Sequence, residues 1–284
     1  MAGKINFKGQ PLNLAGRFIK EGMIAPDFKV ASQDLKEISL SDFEGKIKVI
    51  SSFPSLDTPV CDLQVKEFNK RALGFTEDVV VIGISKDLPF AQKRFCQLNE
   101  IKNEVVLSDY KTSSFGINYG LLIRELNLLA RSVLIVDKNN ILRYFSIIEE
   151  LINPPEYEQA IKKLQQVISN PGSLVKQEIP AYCKPCEIGT PPLSADKING
   201  LMAGYKDWEL VEGKKLVREF KFNDFIEAKY FLDLAVVISE EQGHHPSFSL
   251  AYNKLKISLT THASGGLTEN DFIMAKIIGQ LIDN

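Results

Sequence analysis

The chain has 284 residues, a formal net charge of −2 and an apolar fraction of 44%. That length suggests about two domains, and the composition suffices for ordinary globular cores. The near-neutral balance argues against general electrostatic binding to nucleic acid or anionic membrane. No run is long and apolar enough to span a bilayer, and the first residues lack the apolar core of a signal peptide, so a cytoplasmic location is expected. Four cysteines in a chain of this length are too few for a disulfide scaffold and point to chemistry instead.

In chain order, residues 4–14 alternate weakly around Gly9-Gln10-Pro11 and predict a small hairpin. Pro26-Asp27-Phe28 opens a strand-and-turn region that closes near Asp42–Gly45. Ile47–Phe53 is an apolar, β-branched run that reads as a buried strand. Asp62 to Leu73 carries Val65, Phe68 and Ala72 at helical spacing. Between them Thr58 suits an N-cap and Pro59 the first helical position, which puts Cys61 in the first helical turn. Free N–H groups and the positive end of the helix dipole favour a thiolate there. Residues 78–85 form another buried strand, and 90–100 a helix with Phe90, Ala91, Phe95 and Leu98 as its apolar face. Residues 105–107 give a short strand, 133–147 a hairpin turning at Asn139-Asn140, and 155–168 a closing helix. Alternating strands and helices make this half α/β.

Asn170-Pro-Gly-Ser173 breaks the pattern and begins a Pro/Gly-rich stretch, where the domain boundary is placed. Beyond it, residues 208–222 alternate as a hairpin around Glu212-Gly213. Asn223 or Asp224 caps a long helix that stops near Gly243. Residues 248–261 read as two strands joined near Asn253-Lys254, and Thr268 begins a last helix to about residue 282. This half is α+β, an antiparallel sheet with flanking helices. The expected division is 1–169, a linker 170–186, and 187–284.

The string Pro54-x-x-x-Thr58-x-x-Cys61, within Phe-Pro-Ser-Leu-Asp-Thr-Pro-Val-Cys, closely resembles the active site of the thiol peroxidase branch of the peroxiredoxins. The resemblance covers about residues 1–168 and implies a thioredoxin-like fold. It implies hydroperoxide as substrate, Cys61 as the attacking thiolate, and Pro54 at the substrate pocket. The Thr58 hydroxyl is then a donor to sulfur or peroxide, and Arg131 matches the family's active-site arginine. Taken alone, Arg131 reads as a surface cation at a strand start. Attack leaves a sulfenic acid, which needs a second thiol. Cys96 matches the resolving cysteine of these enzymes, which pairs within the chain; taken alone it is a core cysteine on an amphipathic helix. The resemblance also implies a thioredoxin-type reductant.

All three histidines, His244, His245 and His262, lie in the second half. Leu255, Ile257 and Leu259 share the parity that faces the core, so His262 falls on the polar face or its rim. Glu240-x-x-x-His244-His245-Pro246, followed by Tyr252, His262 and Asp271, closely resembles the pterin-4a-carbinolamine dehydratases over about residues 187–284. That resemblance implies metal-free acid–base loss of a 4a-hydroxyl from a pterin, with no cofactor, the three histidines as acid and base, Asp271 orienting, and Glu240 and Pro246 near substrate. Thr268-Glu-Asn-Asp271 is also a helix-capping pattern. Glu240 and Tyr252 have plain readings as a solvated helix end and hairpin packing. A pair such as Cys183-Lys-Pro-Cys186 can be redox active or half of a zinc site, and a zinc within one chain lacks two further ligands. The expectation is a solvent-exposed thiol pair of minor structural role rather than a tethered reductant of the Cys61–Cys96 disulfide. The whole reads as a bifunctional enzyme, with self-association common to both families. The alternative is a peroxide-sensing switch joined to a dimerisation or binding module.

Overall fold

The computed structural model describes residues 3–169, 182–184 and 190–281. They fall into two compact units, one before residue 181 and one from there on. No helix among the described residues is long and apolar enough to cross a membrane.

The first unit contains β1 (Lys4–Phe7), β2 (Gln10–Ala15), β3 (Lys29–Ala31), β4 (Glu37–Ser39), β5 (Ile47–Ser52), α1 (Pro59–Ala72), β6 (Val79–Ser85) and α2 (Pro89–Leu98). It continues through β7 (Val105–Ser108), α3 (Ser114–Asn118), β8 (Leu122–Ile123), β9 (Leu128–Leu129), β10 (Ser132–Val136), β11 (Leu142–Ile147) and α4 (Tyr157–Ser169). Seven strands form the main sheet in the order β11-β10-β5-β6-β7-β3-β4. β5, β6 and β7 are parallel, and α1 and α2 supply the crossovers. Both faces are covered. Ile50, Ile82, Ile84 and Leu134 enter one core, while Ile47, Val49, Val81, Val133 and Ile135 enter another against Phe68 of α1 and Leu164 of α4. This two-sided burial is why β5 and β6 read as unbroken apolar runs. β1-β2-β8-β9 form a separate small sheet whose Ile5, Leu14, Ile123 and Leu129 enter the first of these cores.

Three expectations shift here. The first hairpin turns at Lys8-Gly9, both at positive φ, and Pro11 sits inside β2 opposite Asn6. In the β10–β11 turn only Asn140 of the asparagine pair takes positive φ. α2 also buries a different face. Pro89, Gln92 and Cys96 point inward, whereas Phe90 and Leu98 are 65% and 76% exposed. Gln92 belongs inside because its amide donates to Leu107 O and Ser85 Oγ of the adjoining strands.

The second unit contains α5 (Ala195–Met202), β12 (Glu209–Val211), β13 (Lys215–Lys221), α6 (Phe225–Gln242), β14 (Ser247–Ala251), β15 (Lys254–Leu259) and α7 (Glu269–Gln280). Its antiparallel sheet runs β12-β13-β15-β14. Leu255, Ile257 and Leu259 are fully buried, as their parity requires, and α6 and α7 both pack on β15. Glu212 and Gly213, at positive φ, make the β12–β13 turn. Asp224 caps α6 by accepting from Glu227 N at 2.8 Å. Gly243, at φ +60, ends that helix. α3 and α5 had no expected counterpart.

Candidate active sites

The first site grows from the carboxyl end of β5, where ligands gather in parallel sheets. The antiparallel register Ser52↔Ser132 sets the start of β10 beside that end, so Arg131 arrives next to the loop that leads into α1. Pro54 in that loop is buried. α1 begins at Pro59 with Thr58 as its N-cap residue, and buries Cys61, Gln64, Val65 and Phe68. That is an i, i+3, i+4, i+7 stripe. Cys61 is therefore held in the first turn by the helix's own apolar face.

Thr58 takes the expected N-cap position. Its side chain makes no cap hydrogen bond; the hydroxyl lies 2.7 Å from Cys61 Sγ and 3.1 Å from Ser55 O. A sulfur within reach competes successfully for the one hydroxyl proton. Cys61 is fully buried, one layer beneath the exposed Thr58 and Pro59.

Arg131 is not a surface cation: it is 2% exposed. Its Nη2 lies 3.3 Å from Cys61 Sγ and donates to Leu151 O at 3.0 Å. Nε also donates to Leu151 O, and Nη1 to Gln64 Oε1. Gln64 is fixed in turn by donating to Ser51 Oγ at 2.6 Å. No carboxylate pairs with Arg131 among the described residues. A buried guanidinium with only neutral acceptors is electrostatically incomplete, and an anionic sulfur completes it.

Cys96 belongs to the same apolar cluster as Cys61, with Phe53, Leu56, Val65, Ile101 and Val106. Both are free thiols. Burial pushes the Cys96 thiol up to about 11; a 3.2 Å hydrogen bond from Gln33 opposes this, and Glu104 adds to it. Sequence reasoning missed Gln64, Gln33 and the Leu151 carbonyl. A glutamine three residues after Cys61, on an otherwise apolar helix face, was the one available signal.

The second site forms where α6 ends. Gly243 turns the chain, and His244, nearly buried, places Nε2 2.8 Å from Asp271 Oδ1. Asp271 is fully buried in the first turn of α7. Its Oδ2 accepts from Thr268 N at 2.7 Å and from Thr261 Oγ1 at 2.8 Å. It thus caps its helix through one oxygen and contacts an imidazole through the other. With Oδ2 occupied by donors, His244 Nε2–H is the donor to Oδ1, which fixes the tautomer of the neutral ring. His245 Nε2 lies 3.1 Å from Glu240 Oε1, and both are exposed. Pro246 is buried between this pair and β14. His262 is exposed and opens a short 3-10 turn directly after Thr261, the residue that binds Asp271. No hydrogen bond joins it to the other two histidines among the described residues. Tyr252 sits at the β14–β15 turn with φ +49 and is 69% exposed.

Cys183 corrects the expectation of an exposed thiol. It is half-buried, its N–H donates to Gln242 Oε1 at 3.0 Å, and its sulfur lies 3.6 Å from Asn270 O. Asn270 also exchanges two hydrogen bonds with the Lys184 backbone. Cys186 lies outside the described residues. No group of three or more His, Cys, Asp or Glu among the described residues is placed to hold a metal ion.

The AhpC/TSA family model matches residues 22–145, and the pterin 4 alpha carbinolamine dehydratase model matches residues 191–281. Thiol peroxidases of Staphylococcus saprophyticus and Staphylococcus epidermidis are 46% and 47% identical over 164 residues, 58% of this chain and 99% of theirs. The crystal structure of a peroxiredoxin-like protein from Aquifex aeolicus aligns with a TM-score of 0.55 at 38% identity, covering 59% of this chain and 98% of that one. The chain therefore belongs, in its first unit, to the thiol peroxidases of the AhpC/TSA family, and it carries behind them a domain of the pterin 4 alpha carbinolamine dehydratase family.

Proposed function

We propose that the first unit reduces hydroperoxides through the Cys61 thiolate and a Cys61–Cys96 disulfide, recharged by a thioredoxin-type donor. One observation carries this: Cys61 Sγ sits between the Thr58 hydroxyl and a buried Arg131 that has no carboxylate partner among the described residues. The sulfur attacks the distal peroxide oxygen and the O–O bond breaks. Thr58 and Arg131 hold the oxygens in line and stabilise the charge that develops. Cys61 is left as a sulfenic acid, and the Cys96 sulfur displaces its hydroxyl as water. Cys61 and Cys96 are packed on α1 and α2, so closing the bond requires the first turn of α1 to loosen.

The second unit, in this reading, dehydrates a 4a-hydroxypterin. His244, oriented by Asp271, and the exposed pair His245 and His262 supply the acid and the base that protonate the departing hydroxyl and remove the ring N–H proton. Glu240 and Pro246 frame the pterin beside them, and Pro54 frames the peroxide in the first site. The functional units are residues 1–169 and 187–284, joined by 170–186, and the chain self-associates.

Two assays on the full chain test the reading. Peroxide consumption with thioredoxin, its reductase and NADPH should proceed over many turnovers and vanish in Cys61→Ser; oxidation that stops after one equivalent would support a sensor instead. Dehydration of a 4a-hydroxytetrahydropterin should be lost in His245→Ala; an unchanged rate would reduce the second unit to a binding module.

A further inference from the structure

Glu104 is a carboxyl with nothing to hold it. It precedes β7, is 6% exposed, and neither side-chain oxygen has a hydrogen-bond partner. Its location explains how it fits. A Cβ built on Gly83 of β6 would lie 2.5 Å from Glu104 Oε1 and 3.4 Å from the Phe53 ring. The absence of a side chain at Gly83 is what makes room for the carboxyl. Phe53 in turn packs in the cluster that contains Cys61 and Cys96. The carboxyl is thus inserted beside the apolar cluster shared by both sulfurs. Two ionisable groups feel the Glu104 charge, Cys96 on α2 and Tyr157 on α4, and Cys61 on α1 shares the apolar cluster of Cys96 and Phe53.

Resolution of the sulfenic acid needs such a group. A thiol attacks only as its thiolate, and burial keeps the Cys96 proton in place. Among the described residues, the hydrogen bond to Cys96 comes from the Gln33 amide, a donor that cannot take a proton. Burial likewise holds Glu104 protonated well above its ordinary 4.5. Burial thus makes both groups hold their protons more tightly than they would in water.

We propose that Glu104 is the proton relay between the two cysteines: its carboxyl gives a proton to the hydroxyl leaving Cys61, and the carboxylate so formed takes the proton of Cys96. The inference rests on the proposed peroxidase reading. The step balances without a further reactant. The S–O bond of the Cys61 sulfenic acid breaks and an S–S bond forms. The Cys61 sulfur is reduced, the Cys96 sulfur is oxidised, one water leaves, and Glu104 ends protonated as it began.

The test is rapid-quench mass spectrometry of the reduced full chain with one equivalent of hydrogen peroxide, comparing wild type with Glu104→Gln, Glu104→Met and Glu104→Asp. A diketone trap reads the sulfenic acid, and peptide mapping reads the disulfide. Formation of the sulfenic acid should stay within about twofold in every variant. Closure of the disulfide should slow by about 100-fold in Gln and Met, the lower range of general acid–base contributions, and recover in part in Asp. Its dependence on pH should flatten in Gln and Met. A merely structural role would slow both steps together or neither. Met keeps an apolar filling of the site, so a folded variant is available if Gln disturbs packing. Closure within twofold of wild type in Gln or Met overturns the proposal. A wild type that oxidises at Cys61 yet forms no Cys61–Cys96 bridge instead overturns the reading beneath it.

Discussion

Replacing Arg131 tests how the first site is powered. Its guanidinium serves two buried acceptors besides the sulfur: Leu151 O, reached at 3.0 and 3.2 Å, and Gln64 Oε1. Arg131→Met strands both. At about 1–3 kcal/mol for each buried acceptor left unpaired, the cost is about 2–6 kcal/mol. That is a large share of the roughly 5–15 kcal/mol by which domains are stable. Arg131→Lys keeps the charge but offers one compact head where a planar fork now spans three partners, so it is the variant for kinetics. Loss of a charge-assisted hydrogen bond to the sulfur, about 1.5–3 kcal/mol, corresponds to about 10- to 150-fold in rate. The assay is stopped-flow oxidation of the fully reduced protein by peroxide, with thermal melting followed in parallel. Arg131→Lys should fold and react at least about tenfold more slowly. A folded Arg131→Lys or Arg131→Met that reacts within twofold of wild type would refute the argument from the buried cation.

Four further outcomes follow from the same structure. Thr58→Val keeps the shape of an exposed residue and removes the 2.7 Å donor to sulfur; peroxide oxidation should slow by about 10-fold or more with little change in melting. Because Thr58 and Arg131 touch one atom, the double variant should lose less than the product of the two single losses, and strict additivity in stopped-flow rates would contradict a shared site. Glu104 holds its proton more tightly in the native state than at its unfolded value of 4.5, so its contribution to stability is complete below pH 4.5 and declines as pH rises from there. Urea titrations should therefore show Glu104→Met gaining on wild type as pH increases from 4 to 8; parallel profiles would contradict the burial of the carboxyl. Asp271→Asn removes the charge that orients His244 and caps α7. It should cost about 1 kcal/mol in denaturant melts and lower pterin dehydration more than tenfold, without changing peroxide turnover.

Much of this was legible in the residues because the signals are local. The β5 run, the Thr58-Pro59 helix start and the Leu255/Ile257/Leu259 parity each follow from backbone geometry, and the structure keeps all three. Thr58 starts α1 as expected, and its hydroxyl reaches the sulfur three residues on rather than a backbone N–H. One misreading arose where a distant partner outweighed local preference. α2 turned Gln92 and Cys96 inward, and so exposed Phe90 and Leu98, because Gln92 satisfies a carbonyl of β7. The second histidine pair was half legible. Asp271 was recognisable both as a cap and as an orienting group, but only folding shows that one carboxylate does both with separate oxygens. Glu104 gave no signal, since its carboxyl sits in space left by a glycine some twenty positions away.

The central claim is that Cys61 is the reactive sulfur and Cys96 its partner in one chain. Oxidising the reduced protein with a single equivalent of peroxide, blocking free thiols and mapping peptides by mass spectrometry tests it directly. The account predicts a Cys61–Cys96 bridge within one chain, with Cys183 still alkylated by the blocking reagent. Oxidation located at any other cysteine, or a sulfenic acid that persists on Cys61 beside a free Cys96, would contradict it.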